Sequence, residues 1–189
     1  MQEIERFKKE ALNRNLCGEF HRLWDKMETR EDFLQFSLNP KSISYVALST
    51  WEGWGLSTEY IKKEFSKHIN RANKFTNKAF LYCRAEGQHI IDCTENNIMD
   101  TTGVFIIQKT KCPIIHVNNN SDIDVECKGM NIVKIYIYDT SKVNIKIDNS
   151  CKVFVMSLSE ESFIECNVPE LMKIRHGDVR HYAYGEGNY

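Results

Sequence analysis

Residues 121–150 read SDIDVECKGM, NIVKIYIYDT and SKVNIKIDNS, three successive decapeptides in which apolar residues return at a fixed spacing of ten. Ile123, Val125 and Cys127 align with Val133, Ile135 and Ile137, and these with Val143, Ile145 and Ile147. Working outward, the register continues through Val153 and Val155 and back through Val117, Ile115, Ile107 and Phe105. Polar residues punctuate the triplets at 118–121, 128–129, 139–141, 148–150 and 159–162. Each unit therefore reads as one short strand with alternate residues buried, followed by a turn. Parity fails after Ser162, where Phe163, Ile164 and Cys166 fall out of step, and Pro169 closes the series before a final segment at 171–174.

An even repeat keeps the apolar set of every strand on one side, because side-chain direction in a strand alternates with period two. Two architectures satisfy it. Consecutive units can wind as the faces of a β-solenoid with about 20 residues per two-sided coil, or reverse and pair as an antiparallel meander or sandwich. Asn-Gly hairpin signals are missing, and Ser, Asn, Asp and Thr recur at equivalent positions where stacked coils can bond them in ladders, so the turns favour the solenoid. Open solenoid ends template further pairing, and the segment preceding the repeat fits the role of a cap.

That preceding segment carries helical spacing. Ile4, Phe7 and Ala11 share one face over 2–12, and Phe20, Leu23, Trp24 and Met27 mark a second helix. Thr29 with Asp32 resembles a capping box opening a helix at 30–37, and Asn39-Pro40 starts another at 41–49 carrying Ile43, Val46 and Ala47. Trp51-Glu-Gly-Trp-Gly55 breaks that pattern, either as a stacking platform or as a plug for the helical bundle; Ser57 then caps a helix bearing Ile61, Phe65 and Ile69. From Ala79 the period approaches two, with strands expected at 80–84 and 89–93 and a turn at Glu95-Asn96-Asn97. The reading is α+β: a helical N-terminal capping domain over 1–78, a β-repeat domain over 79–175 and a tail over 176–189, either loose or a closing flap.

The totals exclude several classes. With 42% hydrophobic and 27% charged residues over 189, the chain has the composition of a globular protein, not of a disordered or fibrous one. A net charge of -1 gives no global attraction to polyanions, so an electrostatic partner needs a local patch. With neither a signal-type apolar run at the start nor a membrane-length apolar stretch, a cytoplasmic protein without membrane association is expected. Seven cysteines without paired spacing read as reduced thiols, Cys127 as a buried hydrophobe. Cys83, His89 and Cys93 come nearest to a metal set but lack the spacing of structural zinc sites, and no cofactor or metal is expected.

No phosphate-binding glycine loop, HExxH or GxSxG motif occurs, and the six histidines are dispersed. Cys166 with His176 or His181 would make a nucleophile and base only if the fold joined them. Outward strand positions offer Tyr136, Tyr138, Phe154 and Met156, a patch suited to a protein partner, a second copy or a sugar, unless the helices or a neighbouring chain cover it. The stretch 60–78 gathers Lys62, Lys63, Lys67, Arg71, Lys74 and Lys78 against Glu64, a basic run able to contact nucleic acid or to serve as a solvated face.

Leu23-Trp24, the run EGWGLSTEYIKKEF at 52–65 and the unit KIYIYDTS at 134–141 resemble a group of phage- and prophage-associated proteins of anaerobic gut bacteria. The resemblance implies a mobile-element setting with a helical cap first and stacked strands second, and it carries over no catalytic residues. The expected role is a non-enzymatic interaction scaffold binding a protein partner or itself. Nucleic-acid contact through Lys63, Lys67 and Arg71, and glycan binding or cleavage by the solenoid, are the alternatives.

Overall fold

The structure, a computed structural model, describes residues 2–14, 18–70, 79–108, 112–129, 131–148 and 150–177. The side chain of Phe20, the residues Cys17, Arg71, Lys74 and Lys78, and the 178–189 tail with His181 lie outside them.

Five helices come first among the described residues: α1 (Gln2–Asn13), α2 (Gly18–Asp25), α3 (Arg30–Ser37), α4 (Pro40–Trp51) and α5 (Thr58–Glu64). Their shared core follows the expected stripes, with Phe7 edge-on to Trp24 at 5.3 Å and to Phe33 at 5.8 Å. The capping box forms, Thr29 Oγ1 accepting from Asp32 N at 3.1 Å while Asp32 Oδ2 accepts from Thr29 N at 2.9 Å. α4 runs two residues past the expected Ser49, since no helix breaker stands before Gly53. The two tryptophans that follow separate. Trp54 packs between Phe7 and Tyr45 as a plug of the helical core, held by Arg6, whose guanidinium donates to the carbonyls of Trp54 and Gly55 at 3.0 and 2.7 Å.

The rest is a β-solenoid of about five two-strand turns, and every strand pairing is parallel, which removes the antiparallel alternative. Odd strands form sheet A: β1 (Ala79–Cys83), β3 (Glu95–Met99), β5 (Ile114–Asn118), β7 (Ile132–Ile137), β9 (Lys152–Ser157) and β11 (Met172–His176). Even strands form sheet B: β2 (Glu86–Ile91), β4 (Thr102–Ile107), β6 (Asp122–Cys127), β8 (Lys142–Ile147) and β10 (Phe163–Cys166). Ile123 sits over Val143 and Val133 over Val153, so decapeptides alternate between sheets and stack at a distance of two units. The inward triplets make one continuous core between the sheets.

Three expectations change. The strand expected at 89–93 starts earlier, as β2, because Glu86 and Gly87 pair with Thr102 and Gly103 of β4. Glu95-Asn96-Asn97 is strand β3 and not a turn, because Asn96 Nδ2 finds backbone acceptors in Cys93 O and Ile114 O at 3.1 and 3.4 Å, while Asn97 Oδ1 accepts from Asn118 Nδ2 at 3.4 Å. Buried asparagines bonded along the stack suit a strand as well as a corner. The lost parity after Ser162 is also only apparent. One extra residue in the preceding turn shifts the numbering, yet Ile164 lies over Val143 and Cys166 over Ile145, both against the core.

The expected polar ladders form, and the longest follows the odd strands. Ala85 N donates to Thr101 Oγ1, Thr101 N to Ser121 Oγ and Ser121 N to Ser141 Oγ, at 3.2, 3.2 and 3.0 Å. At the start of the stack Asn70 closes the free edge of β1. Its N–H donates to Leu81 O at 2.9 Å, and its side-chain amide accepts from Cys83 N at 2.9 Å and donates to Cys83 O at 3.2 Å.

Candidate functional site

The outward residues of sheet A stand in columns, one residue per coil. One column runs Glu95, Ile114, Lys134, Phe154 and Lys173, and the next runs Asn97, His116, Tyr136, Met156 and Arg175. A third contains Met99 and Asn118, followed by Tyr138 and Leu158, which extend the same alternation. α4 lies across the early part of this face, against β3 and β5, with Ala47 O accepting from Asn118 Nδ2 at 3.1 Å. Its coverage ends at Tyr138, which is fully buried against Ala47 and Leu48 with Trp51 at 5.8 Å.

This corrects the expected patch. Tyr138 belongs to the joint between helix and solenoid, because α4 reaches across to its end of β7. Its hydroxyl and His116 Nδ1 share a hydrogen bond of 2.8 Å, and burial pushes the hydroxyl pKa far above the ordinary tyrosine range. Tyr136 stacks on His116 at 5.3 Å and 15° and is half-buried. Phe154, one coil further on, is 40% exposed.

Beyond α4 no helix covers the face among the described residues. Lys134, Tyr136, Phe154, Met156, Lys173 and Arg175 line a groove of about 330 Å³. Beside it a second hollow of about 560 Å³ lies between Trp51, Tyr138, Leu158 and Gly177. The two are neighbours because Tyr138 and Leu158 directly follow β7 and β9 and continue the outward alternation of Tyr136 and Met156.

The charge of this face sets it apart. The outward residues of β7, β9 and β11 include Lys134, Lys152, Lys173 and Arg175 and no acid, and among the described residues none of the four makes an ion pair. Sheet B is neutralised instead: Lys142 meets Asp122 at 3.7 Å, Lys146 meets Asp124 at 3.3 Å and Lys128 meets Glu126 at 2.9 Å. On a chain with a net charge of -1, this part of sheet A is thus a local cationic and aromatic surface among the described residues.

Lys63 and Lys67 are exposed after Ser57 caps α5; Lys63 lies 3.7 Å from Glu64, and Lys62 donates to Arg84 O at 3.1 Å. Arg71, the third residue of that candidate interface, lies outside the described residues. Cys83 and Cys93 face different cores, Cys83 beneath the helices and Cys93 inside the solenoid, and burial pushes both thiols up to about 12. Cys166 lies on β10 and His176 on β11, in opposite sheets. Among the described residues no group of three His, Cys, Asp or Glu is placed to hold a metal ion, and no helix is long and apolar enough to cross a membrane.

Sequence reasoning missed Lys173 and Arg175, whereas Trp51, half of the expected tryptophan platform or plug, lines the hollow beside Tyr138 and not the helical core. The alternation in Met172-Lys-Ile-Arg-His176 could have revealed Lys173 and Arg175 as outward residues of one more strand. Comparison with protein-family models, with curated proteins and with solved structures returns no match for this chain.

Proposed function

We propose that this protein is a non-enzymatic interaction scaffold of a phage or mobile element, working in the cytoplasm, whose solenoid presents the uncovered part of sheet A to a protein partner. One observation carries the reading. α4 seals the outward face as far as Tyr138 and stops, leaving Phe154 40% exposed beside Tyr136 and Met156 in a groove rimmed by cations that make no ion pair among the described residues. An aromatic anchor inside a polar rim is the arrangement that gives interfaces most of their binding energy. The mobile-element setting rests on the resemblance of the 52–65 and 134–141 segments described above.

The test is affinity capture of the tagged protein during phage or prophage induction, run in parallel with a Tyr136→Ala, Phe154→Ala variant. Both side chains are at least partly exposed, so the fold is expected to survive. A stoichiometric partner that is lost with the double substitution supports the reading. Equal recovery by both proteins overturns it.

A further inference from the structure

We propose that the free edge of β11 receives an extended acidic segment of another protein as a seventh strand of sheet A. The inference rests on the scaffold reading and deepens it by naming the chemistry and the docking mode of the partner.

The two edges of sheet A are treated differently. Asn70 occupies the N-terminal edge at β1 with three hydrogen bonds, whereas β11 ends the sheet and no strand or capping side chain meets its outer edge among the described residues. Gly177 N donates to Ser157 O at 3.2 Å, toward β9. Because peptide groups alternate along a strand, Lys173 and Arg175 share that direction, and the N–H groups of Ile174 and His176 point to the open edge. An unpaired row of this kind is a template for strand addition.

Side-chain chemistry selects the occupant. Lys173 and Arg175 stand outward two residues apart, about 7 Å along the strand, which is the spacing of alternate side chains on an added strand. Acids at alternate positions would meet both cations, and apolar residues between them would continue the inward row over Ile174, now 40% exposed. A second copy fits poorly, since two β11 edges would set the cations Lys173 and Arg175 against their own like. A single-stranded nucleic acid would meet the cations but has no alternating N–H and C=O to pair with the edge.

The test is fluorescence anisotropy with the full chain and a labelled peptide of about ten residues alternating glutamate with valine, beside a lysine–valine peptide and an oligothymidylate of similar length. The acidic peptide is expected to bind about tenfold tighter than the basic one, from two cross-strand charge pairs and the removal of repulsion. Lys173→Glu with Arg175→Glu is expected to reverse that preference, a gain that misfolding cannot mimic. Ile174→Pro removes one edge N–H without touching a bond to β9 and is expected to abolish binding while the circular dichroism stays unchanged.

Four results would overturn the proposal: no binding of the acidic peptide, as when the chain's own 178–189 segment holds the edge; equal binding by folded Ile174→Pro, which means charge attraction without strand addition; tighter binding of the oligothymidylate; or concentration-dependent dimers in sedimentation that disappear with Lys173→Glu and Arg175→Glu. The scaffold reading has its own readout, since a captured partner lost with Tyr136→Ala and Phe154→Ala would leave it standing after any of these.

Discussion

Tyr138 and Phe154 have the same standing in the sequence, each an aromatic residue at an outward position of a repeat unit, and they meet opposite fates. The difference lies in where α4 ends, which no local pattern encodes. Tyr138 became structural, and its hydroxyl is the buried partner of His116 Nδ1. Tyr138→Phe keeps the ring contacts and strands that nitrogen, so a loss of about 1–3 kcal/mol is expected. A lowered urea midpoint at unchanged slope would show it. Asp148 makes a different point at the same scale. Its carboxylate accepts from Ser150 Oγ and from Gly129 N at 2.7 Å, and these bonds hold its pKa down to about 2. Since the folded value lies below the unfolded one of about 3.9, the stabilisation is complete above that pH and is lost as the pH falls towards 2. Asp148→Asn is therefore expected to lower the denaturation midpoint at pH 7 and to differ little from the parent near pH 2.

At the scale of elements, the sequence was most legible where one physical rule acts alone. The capping box at Thr29 and Asp32, the Ser57 cap of α5 and the strands β6 to β9 follow from spacing and turn chemistry. Readings failed where a neighbouring coil supplied the deciding contact. Asn96 and Asn97 look like turn residues until the adjacent strands give them acceptors and donors, and Ile164 looks out of step until the extra turn residue is counted. Gly103 is a quieter example. It lies over Gly87, and a Cβ at position 103 would come 2.4 Å from Gly87 O. Gly103→Ala must push β2 away from β4, with an expected cost of about 1–3 kcal/mol. Thermal unfolding of that variant beside an alanine substitution at the exposed Lys9 of α1 would measure it.

For the whole molecule, stacking makes stability a nearest-neighbour property. Each coil rests on the one before, and the series starts from a helical core that takes in Leu81, Cys83 and Met99 of the first strands. The last coil has neighbours on one side only among the described residues, and its inward residues Ile164, Cys166, Leu171 and Met172 are only partly buried. Hydrogen exchange is thus expected to rank the strands, slowest in β5 to β8 and fastest in β10 and β11, with acidic-peptide binding slowing β11 most. Uniform protection across the solenoid would mean that it unfolds as one block. The site lives at this scale as well, since its cations come from three successive coils and its border is set by a helix from the other end of the chain.

The alternation of decapeptides between two sheets also limits how such a gene can lengthen. Duplicating a single unit would transpose every downstream strand to the opposite side, carrying Phe154, Lys173 and Arg175 away from the flank of α4. Duplicating two units preserves each residue's sheet and adds about 4.8 Å to the stack. Length variants that keep this surface should differ by whole two-strand coils, the coil being the heritable quantum of growth.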